Sequence, residues 1–351
     1  MTQALTPTPA APQTHRVQAQ PRSLARRVVS RPELSSLLGV IAVFVLFFAV
    51  APPFRGPAAL STVLYSSSTI GIVAVAVALL MIGGEFDLSA GVAVTSSSLV
   101  GSIIAYQFSV NVWIGVLAAL VVSLGIGFLN GYLVMRTKLP SFLITLASFL
   151  MLQGLNLAVT KLVTGNVASN SIADMDGFDS AKAVFAADIP IGGVTIKITV
   201  LWWIAFVAVA TWLLLKTKAG NWIFAVGGQA DSSRAVGVPV KQTKIGLFMG
   251  VGFLAWFGGM HQLFAFDSVQ SGTGVGQELL FIAAAVIGGC LLTGGYGSAI
   301  GAGIGALIYG ATTQGIVYAG WNPDWVKFFV GATLLVATLL NMWVRLRTSR
   351  R

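Results

Sequence analysis

Charged side chains are scarce in this sequence. Asp, Glu, Lys and Arg make up 9% of its 351 residues, against roughly 25% in a soluble domain. A chain so poor in charge cannot cover its own surface in water, which excludes an ordinary soluble enzyme or scaffold. Cysteine is almost missing as well. Cys290 is the single one and lies inside an apolar run, so no disulfide can form within the chain. The two histidines, His15 and His261, are far apart, and no Cys/His spacing suggests a metal site. Nor can a nucleophile, a base and an orienting group be assembled from one histidine in a tail and one in an apolar run. The phosphate-cradling pattern G-x-x-x-x-G-K-S/T is absent, so the chain is not expected to bind or hydrolyse ATP itself. The expectation is a protein that is not an enzyme and uses no cofactor or metal.

What is present is lipid-like. Hydrophobic residues make up 56% of the chain, glycine occurs 40 times, and the mean hydropathy is +0.86. At about 20 apolar residues per crossing, ten runs fit, at residues 37–50, 60–82, 89–106, 112–134, 141–163, 198–215, 245–265, 278–293, 298–318 and 325–344. The expected fold is all-α: a polytopic transmembrane helical bundle of about ten spans with both termini cytoplasmic. Charge supports the count. Starting inside, ten spans leave Arg55, Lys161, Lys182, Lys197 and Lys327 on the outer face and every other Lys and Arg on the inner one, the asymmetry of the positive-inside rule. Nine spans would put Arg345, Arg347, Arg350 and Arg351 on the wrong face. Most acidic residues (Asp174, Asp176, Asp179, Asp188, Asp267, Glu278 and Asp324) fall outside. The net charge of +10 invites a nucleic-acid reading, but the basic residues sit at the ends of apolar runs and form no single patch.

The organisation follows from these runs. Residues 1–32 read as a disordered cytoplasmic tail, 33–345 as the membrane domain and 346–351 as a basic cytoplasmic tail. The segment 164–197 reads as an extracytoplasmic loop, partly helical and lying on the membrane surface. The first run is read as retained, the alternative being a secretory signal peptide cleaved near Ala49-Val50-Ala51. Trp113, Trp202, Trp203, Trp321, Trp325 and Trp343 fall near span ends, as in an interfacial belt. A weak parallel repeat is visible. Ile82-Gly83-Gly84 followed by Ser89-Ala90 resembles Ile287-Gly288-Gly289 followed by Ser298-Ala299, and such repeats in transporters place a pathway between two halves.

Three stretches carry candidate function. The first, GGEFDLSAG at residues 83–91, sets Glu85 and Asp87 beside apolar runs, where carboxylates are costly and often functional. Asp87 or Ser89 capping the next helix is the structural reading, and a proton relay the sharper one. The second is a set of polar residues inside spans. Asn130, Gln153 and Asn156, with Ser141 and Thr145, either hydrogen-bond across helix interfaces or line a polar path. Third, residues 216–244 form the longest polar, basic interval between apolar runs. Residues 225–238 within it read as a short amphipathic helix bracketed by glycines, suited to dock in a groove of a soluble partner on the positive side of a membrane.

Several of these segments resemble one family. GGEFDLSAG at 83–91, NGYLV at 130–134 with LPSFLITL at 139–146, AVGGQADSSRAVG at 225–237, and IAAAVIGG at 282–289 with TGGYGS at 293–298 are similar, in consistent order, to the signatures of permeases of ribose-type carbohydrate ABC importers. Glu85-Phe86 stands where that family has Ile, and residues 229–233 depart from its Asn-Glu-x-Ala-Ala core. The resemblance implies a permease in a bacterial inner membrane, paired with a second copy or a paralogue above two separate ABC ATPase subunits. An extracytoplasmic binding protein would deliver a monosaccharide or related polyol. It further implies that Gly227, Gly228, Gln229, Asp231, Arg234 and Gly237 form the loop that couples to the ATPase. Glu85, Asp87, Asn130, Phe142, Thr145, Gln153 and Asn156 are then the candidates for pathway or gate. A branched-chain amino-acid permease of related architecture is the runner-up. A proton-coupled secondary transporter and a purely structural membrane subunit are the readings from other classes.

Overall fold

A computed structural model describes residues 33–349, with side chains over residues 36–339. The tail expected at 1–32 lies outside the described residues. The molecule is a helical bundle with thirteen α-helices among those residues. Six of them are long and apolar enough to cross a bilayer: α2 (Pro57–Ile82), α4 (Val112–Thr137), α5 (Ser141–Thr164), α7 (Ile198–Lys216), α10 (Val240–Phe266) and α12 (Ala299–Tyr318). Four shorter or more polar ones complete the bundle: α1 (Glu33–Val50), α3 (Ala90–Gln107), α11 (Gln277–Ile287) and α13 (Trp325–Ser349). Three small helices lie at its ends: α6 (Phe178–Phe185), α8 (Lys218–Gly228) and α9 (Ala230–Ala235).

Local chemistry sets the boundaries. Pro57 opens α2 at a position where its missing N–H is no loss. Asn111 caps α4, its side chain accepting from the Trp113 amide at 3.0 Å. Lys138 then ends α4 in a left-handed conformation, φ +60°, just before Pro140 starts α5. Thr217 ends α7 and caps α8, accepting from the Gly220 amide at 3.2 Å.

The core lies among α2, α3, α10, α11 and α12, where small residues let backbones approach. Ser123 Oγ on α4 donates to the Gly252 carbonyl of α10 at 2.7 Å. An added Cβ on Gly310 of α12 would fall 2.7 Å from the backbone N of Ser67 on α2. At the outer flank the Phe47 ring of α1 lies over Gly315, where a side chain would collide with it.

Segment 164–197 caps one end of the bundle, hereafter the cap end. It contains α6 and a hairpin of β1 (Asp188–Ile191) and β2 (Val194–Lys197), paired antiparallel with Asp188 opposite Lys197. Phe185 of α6 plugs into the bundle, stacked on Phe264 at 5.8 Å and edge-on to Phe257 at 5.3 Å. The reversals of α2 and α11 and the small helices α8 and α9 lie at the other end, the loop end.

Four boundaries correct the sequence reading. The run expected over 278–293 is a helix of 11 residues, α11, about 16 Å long at 1.5 Å per residue. It is preceded by an irregular segment, 267–276, that turns back into the bundle. Residues 225–238 are not one helix. The chain breaks at Gln229 (φ −155°, ψ 91°) between α8 and α9. Helix α10 begins at Val240, so Lys244, assigned to the loop, sits on a helix. Helix α13 continues to Ser349, past the expected boundary at 345.

Candidate coupling and gating site

Two helix ends at the loop end have the same backbone geometry. After α2, the amides of Gly83, Gly84 and Glu85 donate to Leu79, Met81 and Leu80 carbonyls at 3.0, 2.9 and 3.1 Å. After α11, those of Gly288, Gly289 and Cys290 donate to Ala284, Val286 and Ala285 at 2.9, 2.9 and 3.0 Å. The donors reach back four, three and five residues in both cases, and the second glycine is left-handed each time, at φ +81° for Gly84 and +93° for Gly289. This is the Schellman closure, which needs a glycine at that position. The short sequence match is thus also a match of hydrogen bonds.

The C-terminal end of α8 is wedged between the reversal after α2 and the turn at Gly294-Gly295 that joins α11 to α12. The Gly295 amide donates to the Ile82 carbonyl at 2.8 Å. A Cβ on Gly227 would overlap the same Ile82 carbonyl oxygen and stand 2.7 Å from the Gly295 nitrogen. A Cβ on Gly294 would stand 2.6 Å from Gly84 Cα, and one on Gly295 2.8 Å from Gly228 Cα. Five glycines from three chain segments therefore touch backbone to backbone, with no side chain to give way. Close contact of this kind transmits displacement, because packed backbones shift as units.

Beyond this knot the loop faces outward. Asp231 and Arg234 are exposed and pair with each other at 3.4 Å. Val236 is 81% exposed, an apolar side chain presented openly. Gly237 turns the chain at φ +86° in open space, and Gln229 is exposed at the break between the helices.

The linker between α2 and α3 is held from three sides. Glu85 is buried and forms an ion pair with Lys244 on α10. The amides of Phe86 and Leu88 donate to Ser141 Oγ and Thr145 Oγ1 of α5, each at 3.1 Å. Asp87 Oδ1 accepts from the Ser89 amide at 2.8 Å and from its hydroxyl at 2.6 Å, at the N-terminus of α3. From Ser89 the chain of contacts continues. Asn130 Nδ2 donates to Ser89 Oγ at 2.9 Å, and Ser148 Oγ donates to Asn130 Oδ1 at 2.6 Å. One layer on, Ser96 Oγ donates to Asn156 Oδ1 at 2.9 Å, and Asn156 Nδ2 donates to the Val92 carbonyl at 3.2 Å. A polar seam thus joins α3, α4 and α5.

Of the residues singled out from the sequence, Glu85, Asp87, Asn130, Thr145 and Asn156 meet in or beside this seam. Phe142 is 51% exposed and points away from it, and Gln153 is half-buried on α5 outside it. Sequence reasoning missed Lys244, whose partner lies 159 positions away, with no local signal. It also placed Glu278 on the outer face. Glu278 is buried at the first turn of α11, accepting from the Gly276 amide at 3.1 Å, and its carboxylate fills the space a side chain on Gly91 would need. Among the described residues, no cluster of His, Cys, Asp and Glu is arranged to hold a metal.

A family model described as branched-chain amino acid transport system / permease component matches residues 59–338. Among curated proteins, the chain is similar to the ribose import permease protein RbsC of Escherichia coli K12, with 29% identity covering 88% of this chain and 93% of that protein. It is similar to the galactose/methyl galactoside import permease protein MglC of the same strain, with 29% identity over 86% and 93%. A third relative is the fructose import permease protein FrcC of Rhizobium meliloti, at 27% over 82% and 78%. No solved structure matches.

Proposed function

The chain belongs to the permease-component family of these binding-protein-dependent transport systems, and from that premise we propose that it forms the membrane passage of an ATP-driven importer of a monosaccharide or related polyol. The relatives named above are sugar permeases along most of their length, which favours a sugar over the amino acid of the family's description. ATP is hydrolysed on separate subunits, and a binding protein outside the cell delivers the solute. A second copy or a paralogue completes the passage.

In this reading α1, α3, α11 and α13 join the six long helices to make ten transits of a bacterial inner membrane. The loop end and both termini face the cytoplasm, where the basic residues collect. The glycine knot carries the proposal. Helix α9 and the residue after it present Asp231, Arg234 and Val236 for the ATPase, and α8 delivers its movement through Gly227 and Gly228 to the end of α2 and to the turn that joins α11 to α12. A rigid displacement of two helices at one point is the kind of motion that switches access from one side to the other. Glu85 engaged by Lys244, and Asp87 by Ser89, support a scaffold at this hub in place of a proton relay.

Reconstitution tests it. With its ATPase and binding protein in vesicles, the chain accumulates ribose, galactose or fructose only when ATP is supplied. Accumulation by the chain alone, or uptake that an uncoupler abolishes and ATP removal does not, overturns the reading.

A further inference from the structure

Toward the cap end lies a second polar region, apart from both the seam and the knot. A cavity of about 290 Å³ opens between α2, α3, α10, α11 and α12. That is near the lower limit of roughly 300 Å³ for small-molecule sites. Three amides line it, Gln262, Gln277 and Gln314, one each from α10, α11 and α12, together with the hydroxyls of Ser66 and Thr69 on α2. No carboxylate, ammonium or guanidinium group is among its lining residues. Such a wall suits a solute that is neutral and rich in hydroxyls.

Two features show a built site. The Gln262 Oε1 is closed off from the cavity and has no hydrogen-bond partner, so the amide NH2 is the part of this wall residue that can meet a solute. Beside it, His261 is pinned at both nitrogens. Its Nδ1 lies 2.9 Å from the Phe185 carbonyl of the cap, and its Nε2 lies 3.1 Å from the Tyr65 hydroxyl. A carbonyl only accepts, so Nδ1 carries a proton and donates to Phe185, which fixes the ring beside the cavity. The Phe281 ring supplies an apolar surface within the same wall, matching the C–H face of a sugar.

Backbone geometry agrees. Segment 267–276 descends irregularly through the bundle until the Gly274 carbonyl oxygen stands 2.5 Å from where a Cβ on Gly91 would be, in the first turn of α3. Only there does the short helix α11 begin, with Gln277 in the cavity wall. Irregular backbone at membrane depth persists where protein or a polar cavity covers it, and interrupted helices border solute sites in transporters.

We propose that each subunit by itself holds a neutral polyhydroxylated solute of monosaccharide size in this cavity, separate from any passage formed between two copies. The inference rests on the sugar-import reading and adds a place within one chain where the solute pauses. The test uses the full chain alone in lipid nanodiscs, with millimolar ribose, galactose or fructose followed by saturation-transfer NMR and leucine as the uncomplementary control. At least one sugar gives a transfer signal that leucine does not. Gln262→Leu and the cavity-filling Gly258→Leu each lower that signal at least threefold. A Ser66→Cys variant, which keeps every other wall residue, reacts at least threefold more slowly with a small thiol reagent when the sugar is present. Equal signals in the variants, no sugar signal above leucine, or no protection of Ser66→Cys overturns the inference. Loss of binding with ATP-driven accumulation intact removes this site and leaves the proposed function standing. Binding without accumulation in the complete system does the reverse.

Discussion

Gly295 donates its amide hydrogen to the carbonyl of Ile82 at 2.8 Å, and this bond ties the turn between α11 and α12 to the last turn of α2. Both partners are backbone groups, so no side-chain change removes the bond directly. Its environment is what mutation reaches. Gly227 sits against the same carbonyl, with room for a hydrogen and nothing larger.

Gly227→Ala therefore forces two backbones apart, whereas Gly228→Ala meets open space. Overpacking of this kind costs about 1–3 kcal/mol, a factor of roughly 5 to 160 in the equilibrium between the close-packed knot and a loosened one. Solute-stimulated ATP hydrolysis by the assembled complex falls at least tenfold for Gly227→Ala and less than twofold for Gly228→Ala. Equal rates in both variants contradict a knot that works by contact.

The Glu85–Lys244 pair is held with side chains 11% and 12% exposed. Removing one partner of a buried pair leaves a stranded charge and costs about 3–5 kcal/mol, while replacing both by apolar groups is often near neutral. Thermal unfolding of the purified chain should fall sharply for Glu85→Leu and for Lys244→Met, and recover in the double variant. Additive losses would show that the two side chains do not act together.

Asn130 and Gln153 look alike as amides in apolar runs, and the structure separates them. Asn130 bridges Ser89 and Ser148, so Asn130→Leu takes the acceptor from the buried Ser148 hydroxyl and one of two partners from that of Ser89, and costs about 1–3 kcal/mol. Gln153→Leu, outside the seam, changes stability by about 0.5 kcal/mol or less. Melting temperatures in detergent decide this. A seam that only fills space would show no difference between the two.

Orientation is open to direct labelling. Val236→Cys at the loop end and Gly193→Cys in the β-hairpin both place a thiol at an exposed position. An impermeant thiol reagent applied to intact cells labels Gly193→Cys and not Val236→Cys. The opposite pattern would invert the proposed topology.

Much of this arrangement was legible in the chain because its signals are local. Apolar runs gave the long helices, and the Gly-Gly pairs at 83–84 and 288–289 marked the two reversals. The polar residues of the seam stood out because amides and hydroxyls are rare in such runs. What escaped were features set by distant neighbours. Lys244 reads as one more loop lysine until Glu85 is placed beside it. The half-length of α11 was hidden because the apolar run continues through Cys290 to Leu292, beyond the glycines that end the helix. The break at Gln229 has no proline to mark it, and its one local sign is the Gly227-Gly228 pair of poor helix formers directly before it. Glu278 looked like an outer-face acid because charge counting assigns sides by sequence order, and the descent of residues 267–276 has no periodicity to betray it.

The contact of Ser67 on α2 with Gly310 on α12 has a consequence for biogenesis. At about 5–20 residues per second, a ribosome reaches Gly310 some ten seconds to nearly a minute after Ser67. Throughout that interval α2 stands in the bilayer with its Ser67 face uncovered. A nascent chain stalled before α12 therefore exposes that face to membrane proteases and insertases, and the finished one does not.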